Sequence, residues 1–380
     1  MGTQSKLKKN MLRLILISIA GTMIYGLPYF RSYYYDAYLQ TYGLTNSQMG
    51  MFGSIFGIMG ACSYLFGGVV ADMFSARKLM TISMILTGLG GLLHLMHPSY
   101  LMLVGIYFLW GFTSLFAFWP ALLKVLRSLA NEDEQSKAYG FMDATRGITN
   151  AVQLAVTLAI FNALSKKASD LAGLNGVVIF YSAVCIVMGI GLYFVLDEKK
   201  LQTGSDGAED ESKFSFAIVK QVLKMPVVWL LSLVVCCSYT MPILFYYFTP
   251  YATANLGMTA AAGAMVTMLA STLVLIFARS MTNAVFIGIC ACIYFGMYGA
   301  YSLVFSMFDE CGIPKYMSGT AIGLICTIGY MPEFFCPLLA GKVLDTYGNA
   351  GYHILFVFLA VMMVIGLVLL TFYKRLVKKM

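Results

Sequence analysis

Charged residues are scarce in this chain of 380 residues: they make up 11% of it, whereas hydrophobic residues make up 60%. A soluble globular domain carries roughly 25% charged residues, so the composition excludes that class. Runs of about 20 apolar residues, the length that crosses a bilayer, recur from Met11 almost to the end. The composition predicts a polytopic α-helical membrane protein. In a membrane protein, the basic residues behind the net charge of +8 lie in loops and determine the orientation of the spans. The charge therefore does not indicate binding of nucleic acid.

Motifs for catalysis, metal binding and ATP hydrolysis are also missing. The chain contains no HExxH, GxSxG, GxxxxGKS or GxxxxGKT sequence and no metal-type CxxC pair. The nine cysteines lie almost entirely within apolar runs, where cysteine serves as a small packing residue. We therefore expect no enzyme activity, no metal, no cofactor and no ATP-driven transport.

Eleven apolar helical segments follow one another along the sequence. Their expected ranges are 11–41, 46–71, 78–97, 100–127, 138–165, 173–196, 226–252, 261–278, 283–308, 318–342 and 351–373. A polar stretch rich in charge, Gly and Ser separates the sixth segment from the seventh. The sequence thus predicts an N-terminal bundle over 1–196, a cytoplasmic linker over 197–225 and a C-terminal bundle over 226–380.

The distribution of Lys and Arg predicts that both termini lie on the cytoplasmic side, since the expected inner loops carry most of these residues. Eleven crossings would place the basic C-terminus outside, so one segment should not cross. Segment 261–278 is the candidate: 63 residues separate Gly43 from Ile106, whereas 36 separate the matching Gly257 from Ile293. The second repeat is therefore expected to lack about 27 residues and to retain only a re-entrant or surface hairpin.

Two parallel six-helix halves joined by a charged inner linker resemble the major facilitator superfamily. In the loop after the second span, Gly68, Asp72 and Arg77 match the family motif Gly-x-x-x-Asp-Arg-x-Gly-Arg-Arg/Lys, and Lys78 extends its basic end. The second half has no such motif; its "GKVLD" at 341–345 has the glycine and the acid but not the basic end. The resemblance implies that Asp72 latches an inner gate by pairing with basic residues or a helix N-terminus. The alternative is an ordinary positive-inside loop.

Arg31 is predicted to lie near the middle of the first span, about ten residues before the outer turn. Its neighbours include Tyr25 and Tyr35, and Pro28 is expected to kink the helix. An arginine among tyrosines can bind a carboxylate or phosphate bidentately while the rings hold an organic body. The stretch resembles the first helix of the organophosphate–phosphate antiporter branch. The alternative is an arginine that snorkels to the outer interface.

The fifth span carries a second polar group: Asp143, Arg146, Asn150 and Gln153. Their spacing of three or four residues places them on one helical face. Such a stripe would be unfavourable against lipid, so it is expected to line a cavity or the seam between the halves. The alternative is an internal Asp143–Arg146 pair that only neutralises itself.

In the second half, Glu333 is the carboxylate that lies well within a span, and Tyr298 is one of several tyrosines that could complete a pocket. Burial would raise the pKa of such a carboxylate toward neutrality, which would suit a coupling proton. Packing is the alternative for the tyrosines. His94, at the end of a span, is expected to be interfacial.

Together these features predict a monomeric secondary transporter in the plasma or inner membrane, with an organic anion as the favoured substrate and a proton as the candidate coupling ion. Two alternatives remain. One is a degenerate relative that no longer transports. The other is a transporter of neutral sugars or other small metabolites.

Overall fold

The computed structural model describes residues 5–67, 73–131, 134–196, 216–245, 247–256 and 315–378. Throughout these ranges the chain forms helices joined by short turns, without a strand. The fold class is therefore all-α, which confirms the prediction from composition. Several predicted features lie outside the described residues and stay predictions: Gly68, Asp72, Tyr298, segments 261–278 and 283–308, the match of Gly257 and Ile293 to the first repeat, and most of the linker.

We number the helices in chain order. Those before the linker are α1 Lys6–Lys9, α2 Met11–Met23, α3 Gly26–Tyr33, α4 Tyr35–Tyr42, α5 Asn46–Cys62, α6 Ala76–His94, α7 Tyr100–Gly111, α8 Trp119–Ser128, α9 Gln135–Lys167 and α10 Asp170–Val195. Those after it are α11 Phe216–Leu223, α12 Pro226–Phe245, α13 Phe248–Leu256, α14 Lys315–Gly329, α15 Pro332–Tyr347 and α16 Gly351–Val377. Short π-helical turns, Ser63–Gly67 and Phe112–Phe118, extend α5 and α7.

Several of the described helices can cross a membrane. Six stretches have sufficient length and hydropathy: Ala76–His94, Tyr100–Ser128, Lys137–Lys167, Asp170–Val195, Pro226–Phe245 and the long run Gly323–Val377. A further span arises if α2 and α3, which meet at 49°, form one broken helix. The break precedes Pro28, whose missing N–H leaves the Ile24 carbonyl without its usual partner, so the expected kink is present.

Contacts divide the chain into two compact units. The first unit contains Met1–Phe30 and Phe66–Asp210, and the second contains Arg31–Leu65 and Glu211–Met380. The two units differ from the two predicted sequence repeats, since α5, which belongs to the first repeat, is grouped with the C-terminal helices. The division into bundles over 1–196 and 226–380 therefore stays a prediction.

The first unit has an apolar core to which α2, α6, α8 and α10 all contribute. Leu14, Met80, Leu122 and Leu192 are among its side chains and are almost completely buried. His94, at the end of α6, is also fully buried, with Phe30 5.5 Å away and Trp110 6.0 Å away between ring centroids. His94 is therefore buried between helices of the first unit, and its depth at the membrane interface stays a prediction.

The loop before α9 holds the N-terminal segment of the first unit. The Glu134 carboxylate accepts hydrogen bonds from the backbone N–H groups of Leu7, at 3.1 Å, and Asn131, at 3.2 Å. Hydrogen bonds from the Ser5 hydroxyl and from these backbone groups hold the pKa of Glu134 below its ordinary value. The short helix α1 is thus tied to the start of α9.

In the second unit, α5 and α15 pack closely along their whole lengths because glycines line the seam. A Cβ at Gly53 would lie 2.8 Å from Pro337 Cβ, and one at Gly57 would lie 2.5 Å from the carbonyl carbon of Glu333. Small residues allow such an approach between membrane helices, where lipid offers no hydrophobic driving force for association. A side chain at Gly57 would meet backbone, which cannot move aside cheaply.

We expect Gly57→Ala to destabilise the protein by about 1–3 kcal/mol through overpacking. The measurement is the apparent melting temperature of the purified protein in detergent. Gly147→Ala on α9 is the matched control, because a Cβ there would meet no atom within 4 Å. Equal melting temperatures for the two variants would contradict the close seam.

Candidate functional site

The polar stripe predicted on the fifth span is present on α9, in the first unit. Arg146 Nη1 lies 3.2 Å from Asp143 Oδ1, and Gln153 Nε2 donates to Asn150 Oδ1 at 2.7 Å. The Asp143 side chain is 64% exposed and Arg146 is 28% exposed, whereas Gln153 is buried at 4%. The stripe is therefore hydrogen-bonded within itself and open to its surroundings at the Asp143 end.

The opposite face of α9 is exposed as well, but it is apolar. Ile148 is 69% exposed and Val152 is 56% exposed, and both lie about half a helical turn away from the stripe. A membrane helix with two exposed faces of opposite polarity can place only the apolar one against hydrocarbon, because a charge there costs several kcal/mol. We therefore expect the stripe to face water or the seam between the halves and not lipid, and its role as a lining of a transport pathway stays a prediction.

Trp119, at the start of α8, is a contact that the sequence did not reveal. The Arg146 guanidinium carbon lies 4.9 Å from the centre of the Trp119 ring, which is a cation–π distance. The Tyr25 ring lies 6.4 Å from Trp119 and 6.3 Å from Tyr29. Tyr25 therefore joins an aromatic group that positions Arg146.

Two buried polar atoms of the α9 stripe have no hydrogen-bond partner among the described residues: Arg146 Nε and Gln153 Oε1. One is a donor and the other an acceptor, and they belong to residues two helical turns apart on one face, about 10 Å along the axis. Buried polar atoms are normally paired in native proteins. An unpaired donor and acceptor on one polar helix face make the stripe a candidate binding surface for a small polar solute.

The second unit contains the other predicted site residues. Arg31 is 7% exposed, and its Nη1 donates to the Met49 carbonyl of α5 at 3.3 Å. A Cβ at Gly53 would lie 3.0 Å from Arg31 Nη2, so α5 leaves space for the guanidinium. A snorkelling arginine extends its guanidinium into water at the interface, whereas the Arg31 guanidinium is buried against α5. The substrate role of Arg31 stays a prediction.

Tyr35 lies close to the start of α5. Its hydroxyl donates to Asn46 Oδ1 at 2.7 Å, and its ring lies 6.1 Å from that of Tyr247. The Tyr247 hydroxyl donates in turn to the Pro337 carbonyl at 3.1 Å. Both hydroxyl groups thus bond within the second unit, and Tyr35 is firmly held.

Glu333 lies where the chain turns from α14 into α15. The side chain is 7% exposed, and the Tyr239 hydroxyl lies 3.5 Å from its Oε2 atom. A row of tyrosines in tilted ring contact extends from it, with Tyr239 4.3 Å from Tyr330 and Tyr330 4.8 Å from Tyr64 between ring centroids. A carboxylate at a helix break within apolar segments is typical of ion and proton sites in transporters.

Part of the predicted gating motif can be located. Arg77, in the first turn of α6, places its guanidinium carbon 4.6 Å from the centre of the Tyr193 ring. Lys78 N–H donates to the Ser75 hydroxyl at 3.4 Å, which caps the helix. Because Gly68 and Asp72 lie outside the described residues, the inner latch stays a prediction.

A family model for the Major Facilitator Superfamily matches residues 14–286, which is more than half of the chain. The chain belongs to this superfamily. Two curated proteins of Escherichia coli K12 are similar to it over most of their length. Inner membrane protein YqcE is 28% identical, covering 89% of this chain and 88% of that protein. Inner membrane protein YihN is 26% identical, with 92% and 91% covered.

Solved structures share the fold. A bacterial homologue of the human lysosomal transporter Spinster, in an inward-facing and occupied conformation, has a TM-score of 0.75 at 12% identity, covering 96% of this chain and 97% of the other. The nucleoside transporter NupG has a TM-score of 0.68 at 12% identity, with 96% and 98% covered. These likenesses show the fold, and membership of the superfamily indicates a multi-pass membrane transporter rather than an enzyme.

The two exposed faces of α9 should differ in chemical accessibility. In a background without the nine native cysteines, we expect Asp143→Cys in permeabilised membrane vesicles to react with a water-soluble maleimide. Ile148→Cys is the matched control: it is similarly exposed but faces lipid, where no thiolate forms, so it should react at least about tenfold more slowly. Equal rates would show that the stripe does not face water.

Proposed function

We propose that this protein is a secondary active transporter that moves a small organic anion across the inner membrane by alternating access, with both termini in the cytoplasm. The superfamily supports transport, and the inner-membrane names of the two Escherichia coli relatives support the location. The observation that carries the substrate class is the Arg146 guanidinium on the polar stripe of α9.

Two contacts determine which part of the Arg146 guanidinium can bind a substrate. Asp143 engages Nη1, and the Trp119 ring covers one face of the group. The Nε atom on the remaining edge is buried and has no hydrogen-bond partner among the described residues. Once a conformational change uncovers it, this edge can bind a carboxylate or a phosphate with two parallel hydrogen bonds. Because Gln153 Oε1 requires a donor, the other end of the substrate is expected to carry a hydroxyl or amino group.

A proton is the proposed coupling ion, with Glu333 as its carrier. A carboxylate buried in an apolar segment binds a proton more readily than one in water, and it releases that proton when a conformational change hydrates it. The Tyr239 hydroxyl beside Glu333 provides a polar neighbour for either state.

The arginines provide the test of the substrate class. A thermal-shift screen of hydroxycarboxylates, phosphate monoesters and neutral sugars should yield an anion, whose counterflow is then measured in proteoliposomes. We expect Arg146→Gln and Arg31→Gln to abolish binding. The Lys variants should weaken it by about 1–3 kcal/mol, roughly ten- to hundredfold, because Lys lacks the planar fork.

Arg375→Gln, at the exposed end of α16, is the matched control and should transport normally. A neutral ligand, or anion binding that survives both Gln substitutions, would contradict the anion proposal and favour a transporter of neutral metabolites. Ligand binding without flux in the unmodified protein would favour the non-transporting relative.

Glu333 has a separate test. We expect Glu333→Gln to lose accumulation driven by a pH gradient while it retains counterflow of the same anion, because Gln cannot carry a proton but can still pack. Asp170→Asn, at an exposed carboxylate at the start of α10, is the control. Accumulation that persists in Glu333→Gln would exclude Glu333 as the proton carrier.

A further inference from the structure

Asp345, near the end of α15, accepts hydrogen bonds from the beginning of α5. Its Oδ1 atom accepts from the backbone N–H of Asn46 at 2.8 Å and from the side-chain amide of Asn46 at 2.9 Å. Its Oδ2 atom accepts from the backbone N–H of Ser47 at 2.7 Å. Asn46 and Ser47 are the first residues of α5, whose N–H groups have no partner within their own helix. A single carboxylate thus binds two of these groups.

The start of α5 is already capped locally. Thr45 and Gln48 form a reciprocal capping box, in which Thr45 Oγ1 accepts from Gln48 N–H at 3.2 Å and Gln48 Oε1 accepts from Thr45 N–H at 2.9 Å. The helix can therefore begin without Asp345. The carboxylate instead joins α5 to a helix 299 residues away in sequence, and the positive end of the helix dipole favours its charge.

Gly341 allows this junction to form. It lies one turn before Asp345 on the same face of α15, and a Cβ at Gly341 would collide with the Asn46 carbonyl oxygen. The glycine lets the first turn of α5 approach, and the acid four residues later binds its N–H groups. The "GKVLD" sequence thus places its glycine and its acid against one helix end.

We propose that Asp345 is a latch that holds the transporter closed at the membrane face opposite the N-terminus. α5 belongs to the first predicted half of the chain and α15 to the second, so opening this face requires their ends to separate. Separation exchanges the three hydrogen bonds to Asp345 for bonds to water. The inference rests on the proposed alternating access, but it is independent of the substrate and of the coupling ion.

The test measures the opening directly, without a substrate. Spin labels are attached at Gln40 and Asn349, two exposed positions at the same face, in the full chain without its native cysteines. Double electron–electron resonance then gives the populations of short and long distances. We expect Asp345→Asn to raise the ratio of long to short distances by about tenfold, since a charged hydrogen-bond acceptor is lost.

A second variant removes the donors instead of the acceptor. Asn46→Pro deletes the backbone N–H and the side-chain amide, and proline is favoured at the first position of a helix. The preceding Thr45 is extended, with φ of −86° and ψ of 162°, which suits a residue before proline. We expect this variant to reproduce the effect of Asp345→Asn, and the double variant to add little to either.

Two controls separate the latch from general loosening. Thr346→Ala alters the residue next to Asp345, whose hydroxyl bonds to Lys342 on its own helix. Tyr35→Phe removes the bond to Asn46 Oδ1 but leaves the carboxylate contacts intact. Both should keep the distance distribution of the parent.

The latch is overturned if Asp345→Asn and Asn46→Pro leave the distances unchanged, if their effects add, or if the controls shift the populations equally. A lower melting temperature with unchanged distances would also overturn it, because the carboxylate would then only stabilise the fold. A shift in distances in a protein that transports no solute would support the latch and contradict the proposed function.

Discussion

The hydrocarbon core of the membrane offers polar groups no hydrogen bonds, and the rest of this structure depends on that constraint. Helices satisfy their own backbone, and the hydroxyl side chains within them do the same. The hydroxyl groups that donate to the carbonyl four residues earlier on their own helix include those of Ser18, Thr22, Thr149, Ser232 and Thr327. Polar groups without such a local solution, such as Arg146 Nε and Gln153 Oε1, therefore stand out as functional candidates.

The same constraint makes helix association depend on close packing. Lipid is as apolar as leucine, so burying leucine between helices yields little free energy. The glycines of α5 instead bring two backbones into contact, as the space at Gly53 and Gly57 shows. Such a seam is stiff, because interiors packed to this density change between discrete arrangements and do not deform continuously.

The sequence predicted which residues share one helical face, because that depends on periodicity. It did not predict contacts between different helices, because those depend on chain topology. Helical spacing placed Asp143, Arg146, Asn150 and Gln153 on one face, and the structure shows them there with two internal hydrogen bonds. Spacing cannot name a partner on another helix. The contact between Arg146 and Trp119 joins α9 to α8, and the bonds between Asp345 and α5 span almost the whole chain. The signal for the second contact was Asp345 at the end of a span, with Gly341 one turn before it.

His94 is a second example of a property that depends on neighbouring helices. Its position at the end of a span predicts depth at the membrane interface, but it does not reveal that the side chain is buried beside Phe30 and Trp110. Position along a span gives depth in the membrane, whereas exposure depends on neighbouring helices. The two properties are independent, and only the first can be read from one sequence.

Alternating access requires two states of similar free energy, and this requirement limits how strong a latch can be. A buried ion pair would cost several kcal/mol to separate, and it would trap one state. The bonds to Asp345 lie at an exposed helix end, where water can replace them. Each then contributes a net free energy of about 1 kcal/mol, so three of them bias the equilibrium without fixing it. The close packing of α5 against α15 at Gly53 and Gly57 determines the geometry of the closed state. The Asp345 carboxylate then shifts the equilibrium towards that state.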